Sequence, residues 1–177
     1  MGIVRAYAGK APRLGARCYL AETAAVIGDV ELGDDVSVWY GAVVRGDCHW
    51  IRVGDRTNIQ DNCVVHVTQK THPTVIEEEV TLGHAAVVHG ATVRRGALIG
   101  IRSTVMDGAD VGESALIGAG ALVVPGTKVP PRTLWLGSPA RQARALSDAE
   151  VEELRRFHLD YLDYKEEYFR IDGAWAR

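Results

Sequence analysis

At 177 residues, with 47% hydrophobic and 24% charged side chains, the chain is long enough for one domain with a buried core. Its formal charge of −3 offers no pull toward nucleic acid or an anionic membrane surface, and no apolar run approaches the length of a membrane span. Residues Met1 to Lys10 lack the apolar stretch of a secretory signal, and three cysteines without a paired spacing predict a reducing, cytoplasmic setting.

From Leu14 onward a branched apolar residue returns every six positions, through Leu20, Val26, Leu32, Val38 and Val44. After a short insertion the series resumes at Val53, Ile59 and Val65. After a second it resumes at Ile76, Leu82 and Val88, and it then runs from Val93 to Val129. The interval from Val88 to Val93 is one residue short. Four residues after each large residue comes a small or β-branched one, including Cys18, Ala24, Ala42, Cys63, Ala86, Thr92, Ala109 and Ala115. Glycine often follows the large residue, as at Gly15, Gly33, Gly83 and Gly100. A period of six is neither the 3.6 of an α-helix nor the two of a simple strand. It predicts short strands joined by tight turns, three to a coil, with one large and one small residue filling each side of a narrow prism. Cys18 and Cys63 then belong to the core.

Residues Pro125 to Ala145 are expected to be a connector. Ser147-Asp-Ala-Glu150 reads as a capping box, opening an amphipathic helix over about 147–170. Its expected apolar face is Val151, Leu154, Phe157, His158, Tyr161, Leu162 and Tyr168. The division predicted is a coil domain with connector at 1–146, and helix and tail at 147–177.

Counting three sides per coil places Val26, Val44, Val65, Val88, Val105 and Val123 on one side, pointing inward. The next residue in each case points outward, so that column reads Ile27, Arg45, His66, His89, Met106 and Val124. His66 and His89 therefore occupy equivalent places on successive coils, about 4.8 Å apart. Two imidazoles at that spacing can share one ion, given metal–nitrogen bonds of about 2.0–2.1 Å. His84 falls near the turn between the second and third sides, above Asp61, and is expected to point away from the pair. It is placed to complete the site of a neighbouring chain, which a closed ring of subunits allows. Trp39 and Tyr40, on an outward face, are expected to be buried by subunit contact, and Glu77-Glu-Glu79 to form a solvated turn.

The Leu/Ile/Val–Gly–x–x–small–x pattern, over roughly residues 14 to 130, resembles the hexapeptide repeat of left-handed parallel β-helix proteins. The left hand is implied by that resemblance, since ordinary parallel crossovers are right-handed. Val44-Arg-Gly-Asp47, Asn58-Ile-Gln-Asp61, Val65-His66 and Gly83-His84…His89-Gly90 together resemble the γ-class carbonic anhydrases. The resemblance implies a homotrimer that binds Zn²⁺, or Fe²⁺ or Co²⁺, through His66 and His89 of one chain and His84 of the next. It implies a site surrounded by Arg45, Asp47, Asn58, Gln60 and Asp61, with Tyr161 of the terminal helix near the pocket. The expected reaction is hydration of CO₂ to bicarbonate by hydroxide generated at the metal. The family's archetype carries a glutamate just after the arginine–x–aspartate motif and more on a long acidic loop. Here Cys48 takes the first place, and the loop Thr68-Gln-Lys-Thr-His-Pro73 has no acid. His49 or His72 would have to move protons instead. Fold alone does not fix function. An acyl-CoA thioesterase or acyltransferase, or a non-catalytic metal- or ligand-binding scaffold, are the alternatives.

Overall fold

The computed structural model describes residues 2–172. Every inward residue of the third side, Val26, Val44, Val65, Val88, Val105 and Val123, is fully buried. The chain winds as a parallel β-helix with three faces. The first carries Thr74–Ile76, Thr92–Val93, Asp110–Val111 and Lys128–Val129 in register. The second runs from Tyr19–Leu20 through Ser37–Val38, Asn58–Ile59, Thr81–Leu82, Leu98–Ile99 and Leu116–Ile117 to Thr133–Leu136. The third holds Val64–His66, Val87–His89, Thr104–Val105 and Leu122–Val123. Two long strands, Ala25–Leu32 and Val43–Val53, pass from the third face to the first without a break. The second of these carries Arg45 and Asp47.

Each corner turns within a few residues, which needs a left-handed backbone conformation. At one corner this falls on Arg17, Asp35, Arg56 and Glu79, and at the corner after the third face on Gly90, Gly108 and Gly126. Glycine enters this region without the steric cost that other residues meet. The short interval after Val88 lies at that same corner. Its effect is that Ala91, not Thr92, is the small inward residue: Ala91 is buried, whereas Thr92 pairs outward between Val75 and Asp110. Glu77 and Glu79 do lie at a turn, but paired rather than merely solvated: Glu77 with Arg94, Glu79 with Arg56 and Arg95.

The expected connector is ordered structure. Lys128–Val129 and Thr133–Leu136 continue the coils, and Arg141–Ala145 adds an antiparallel strand to Thr133–Leu136. The exposed Arg141 and Arg144 on this last strand discourage pairing with another sheet edge.

Helix α1 spans Asp148–Asp172. Ser147 caps it as read: Glu150 N–H donates to Ser147 Oγ at 3.3 Å, and Ser147 N–H to Glu150 Oε2 at 2.9 Å. The helix lies along the second face. Val151 and Leu154 pack on Leu98, Leu116 and Leu134 near the last coils. Tyr168 reaches Tyr19 and Trp39 near the first, with ring centroids 5.9 and 5.2 Å apart. The buried stripe differs from the expected one at three places. Phe157 and the outer edge of Tyr168 are exposed, and Lys165 is fully buried, its ammonium donating to Asp35 and, at 3.1 Å, to the Arg17 carbonyl. A buried lysine is tolerated where a carboxylate neutralises it. Trp39 is buried by this helix within its own chain, so no subunit contact is needed to cover it. Residues 173–177, the tail assigned with the helix, lie outside the described residues.

Candidate metal centre

His66 and His89 stand directly beside one another on adjacent strands of the third face, as the column count requires. His66 Nδ1 and His89 Nε2 are 3.1 Å apart. The other nitrogen of each ring is held by a carboxylate: His66 Nε2 donates to Asp47 Oδ1 at 2.9 Å, and His89 Nδ1 to Asp107 Oδ1 at 2.6 Å. With those protons placed, the two facing nitrogens both present lone pairs. Two lone pairs at such a distance need a cation between them, a metal ion or a proton. The separation is close to the about 3.3 Å edge of a tetrahedron with metal–nitrogen bonds of about 2.0–2.1 Å. A carboxylate behind a ligating imidazole is the usual support of such a centre. The donor set thus fits a borderline divalent ion.

Asp47 also receives the Arg45 guanidinium. Burial would raise its pKa, but the hydrogen bond from His66 and the charge of Arg45 outweigh this and bring it to about 2. Asp107 is likewise opposed by burial, yet hydrogen bonds from Thr68 and His89 hold it below the ordinary carboxylate range.

His84 does not join the pair. Among the described residues, the one group of three or more His, Cys, Asp and Glu donors lying mutually within 4.8 Å is Asp47, Cys48 and His66. His84 sits past the second face, half-exposed, with Nδ1 2.8 Å from Asp61 Oδ2. Its backbone N–H donates to Gln60 Oε1 at 3.1 Å. Gln60 Nε2 donates to Asn58 Oδ1 at 3.2 Å, and Asn58 Nδ2 to Thr81 Oγ1 at 2.8 Å. This buried chain fixes which way the Gln60 amide points. Tyr161 lies edge-on to Trp39 at 5.4 Å and shares with Gln60 and His84 the wall of a groove of about 630 Å³. Burial, then the nearby Asp61 carboxylate, pushes its phenol up to about 12.

The expected site residues therefore fall into two separate clusters on one chain. Arg45, Asp47, His66 and His89 form the first; Asn58, Gln60, Asp61, His84 and Tyr161 form the second. Of the two histidines considered for proton transfer, His49 accepts from Trp50 N–H at 2.9 Å with its ring against Trp50. His72 sits over Gly108, its Nδ1 3.0 Å from Thr71 Oγ1. Cys18 and Cys63 are core thiols, raised by burial to about 11 and 12, and Cys48 is exposed. The sequence alone does not single out Asp107, which directly follows Met106, the residue stacked on His89 one coil further along.

No protein-family model matches the chain. It is 43% identical over 157 residues to the mitochondrial gamma carbonic anhydrase 1 of Arabidopsis thaliana, covering 86% of this chain but only 57% of that relative's length. It is 41% identical over 164 residues to the carbonic anhydrase of Geobacillus kaustophilus, covering 93% of this chain and 89% of that one. A crystal structure of a hexapeptide transferase family protein from Anaplasma phagocytophilum matches with a TM-score of 0.90 at 38% identity, over 94% of this chain and 98% of that chain. The coils are those of a left-handed parallel β-helix, and the chain belongs to the γ-class carbonic anhydrase family.

Proposed function

We propose that this protein is a metal-dependent carbonic anhydrase that hydrates CO₂ reversibly to bicarbonate at sites shared between the subunits of a homotrimer. The observation that carries this reading is the pair His66 and His89, whose facing nitrogens are 3.1 Å apart, while the third candidate ligand lies in a separate half-site of the same chain. A half-site that cannot close on itself is completed by the complementary half-site of the next copy. Repeating that contact around a closed ring satisfies every copy, and three is the order the family resemblance implies.

In this assembly His66 and His89 meet His84 of the neighbour. Its Nδ1 is taken up by Asp61, which leaves Nε2 as the ligating atom. Zn²⁺ suits an all-imidazole set, and Fe²⁺ or Co²⁺ is also accommodated. When bound, the ion acidifies water to near neutral pH and supplies the nucleophile for CO₂. Gln60, with its orientation fixed, offers its remaining amide N–H to a substrate oxygen. Tyr161 keeps its phenol proton and walls the groove. Arg45, tied to Asp47 and partly exposed, is placed to pair across the seam with Asp61 of the next chain. Two buried thiols and one exposed thiol suit a reducing cytoplasm. No helix among the described residues is long and apolar enough to cross a membrane.

Stopped-flow CO₂ hydration tests this reading, on protein loaded anaerobically with Zn²⁺ or Fe²⁺. Hydration that vanishes in His66→Ala is the expected result. A second reading, hydrolysis or transfer of an acyl thioester, is favoured by one feature. The groove runs from Gln60 and His84 along Leu98, Leu116 and Leu134, an apolar wall suited to an acyl chain. Full metal loading without CO₂ hydration would move the assignment to that chemistry.

A further inference from the structure

We propose that Asp107 is a positioning residue of the metal centre: it fixes the proton of His89 on Nδ1 and so aims the lone pair of Nε2 at the ion. The inference rests on the metal reading above and adds to it a residue outside the motifs that carry the family resemblance.

Both oxygens of Asp107 are engaged. Oδ1 accepts from His89 Nδ1 at 2.6 Å, and Oδ2 accepts from Thr68 Oγ1 at 2.7 Å. The carboxylate is thereby held from two directions, by the strand that bears His89 and by the short turn that follows His66. That turn is itself closed, Thr68 N–H donating to the His72 carbonyl at 3.0 Å. The backbone is built to allow the approach. Gly90, next to His89, has φ +58°, and a Cβ there would lie 2.4 Å from Asp107 Oδ1. Its N–H donates to Thr74 Oγ1 at 3.0 Å and to the His66 carbonyl at 3.1 Å, which locks the two histidine strands in register just beside the site.

The consequence is chemical as well as geometric. An imidazole binds a metal only through an unprotonated nitrogen. Asp107 accepts and never donates while ionised, so it selects the tautomer with the proton on Nδ1. It also makes the ring a stronger donor through Nε2. Asp47 does the same for His66, but it is shared with the Arg45 guanidinium, whereas Asp107 is shared with the neutral hydroxyl of Thr68.

The test compares wild type with Asp107→Asn. The asparagine can turn its amide N–H₂ toward Nδ1, which favours the proton on Nε2 and removes the ligating lone pair. Zn²⁺ affinity, measured by competition with a chromogenic chelator, is expected to fall about 10–100-fold in the variant. In the metal-free protein at alkaline pH, where no additional proton bridges the facing nitrogens, nitrogen-15 spectra of His89 are expected to move from the Nδ1–H to the Nε2–H pattern. Thr68→Val leaves the carboxylate in place but frees one oxygen, and is expected to give a smaller loss in the same direction. Thr68→Val also keeps the proposal testable if the asparagine variant does not fold. Unchanged affinity and tautomer in the folded variants, with Zn²⁺ held tightly by wild type, would overturn the role of Asp107 alone. Failure of wild type to bind Zn²⁺ would overturn the metal reading beneath it.

Discussion

His89→Ala is expected to lose its metal and, with it, CO₂ hydration. The variant leaves one imidazole on its own chain and one from the neighbour, and two neutral donors hold a divalent ion poorly where three were needed. Loss of an outer hydrogen-bond partner already costs about 10–100-fold in metal affinity, and removal of a ligand is expected to cost more. Folding is expected to survive, because His89 is on the outward column and its inward neighbour Val88 keeps the core filled. The check is metal content per chain after gel filtration, together with the oligomeric state. Unchanged metal in a correctly assembled variant would mean that the pair is not the ligand set.

Ile99→Ala is expected to destabilise the fold by about 2–5 kcal/mol. Ile99 is fully buried, and its strand pairs with those of Leu82 on one side and Ile117 on the other. In a prism this narrow the large inward residue of each face has no mobile neighbour to fill the space it leaves. Ile99→Val removes one methylene and is expected to cost only about 0.5–1.5 kcal/mol. Chemical denaturation at fixed chain concentration reads both, since assembly contributes to apparent stability. An alanine variant as stable as the valine one would show that the coils close over the cavity.

The six-residue period made most of this arrangement legible from the amino-acid order. It puts Cys18, Cys63, Ala86 and Ala115 inside, and it sets His66 beside His89 from residue spacing alone. It went wrong where the period itself broke. One residue fewer after Val88 shifts the inward position from Thr92 to Ala91, and counting from the previous valine cannot show on which side of the corner the chain was shortened. The last coils were obscured in another way. Prolines at 130, 131 and 139 read as a connector, yet Pro130 and Pro131 sit at a corner between strands, where no ladder hydrogen bond is lost.

The helix was found, but not its phase. Lys165 is charged and reads as solvent-facing until Asp35 is brought beneath it by the first coils. Phe157 reads as core until the leucines of the second face are taken up by Val151 and Leu154. The same tertiary docking explains Trp39, whose cover comes from residues more than a hundred positions further along the chain. Asp107 was hidden because nothing about an aspartate before a glycine marks it, and only stacking of the coils brings it to His89.

Mixing two inactive variants tests the shared site most directly. His84→Ala chains keep the His66–His89 pair, and His89→Ala chains keep His84. Unfolded together in equal amounts and refolded with Zn²⁺, they are expected to regain about a quarter of the wild-type sites, since an intact site needs the pair from one variant and His84 from the other across the same interface of a closed ring. Recovery of CO₂ hydration and of metal to that level would establish ligation between chains. No recovery from properly mixed assemblies would contradict it.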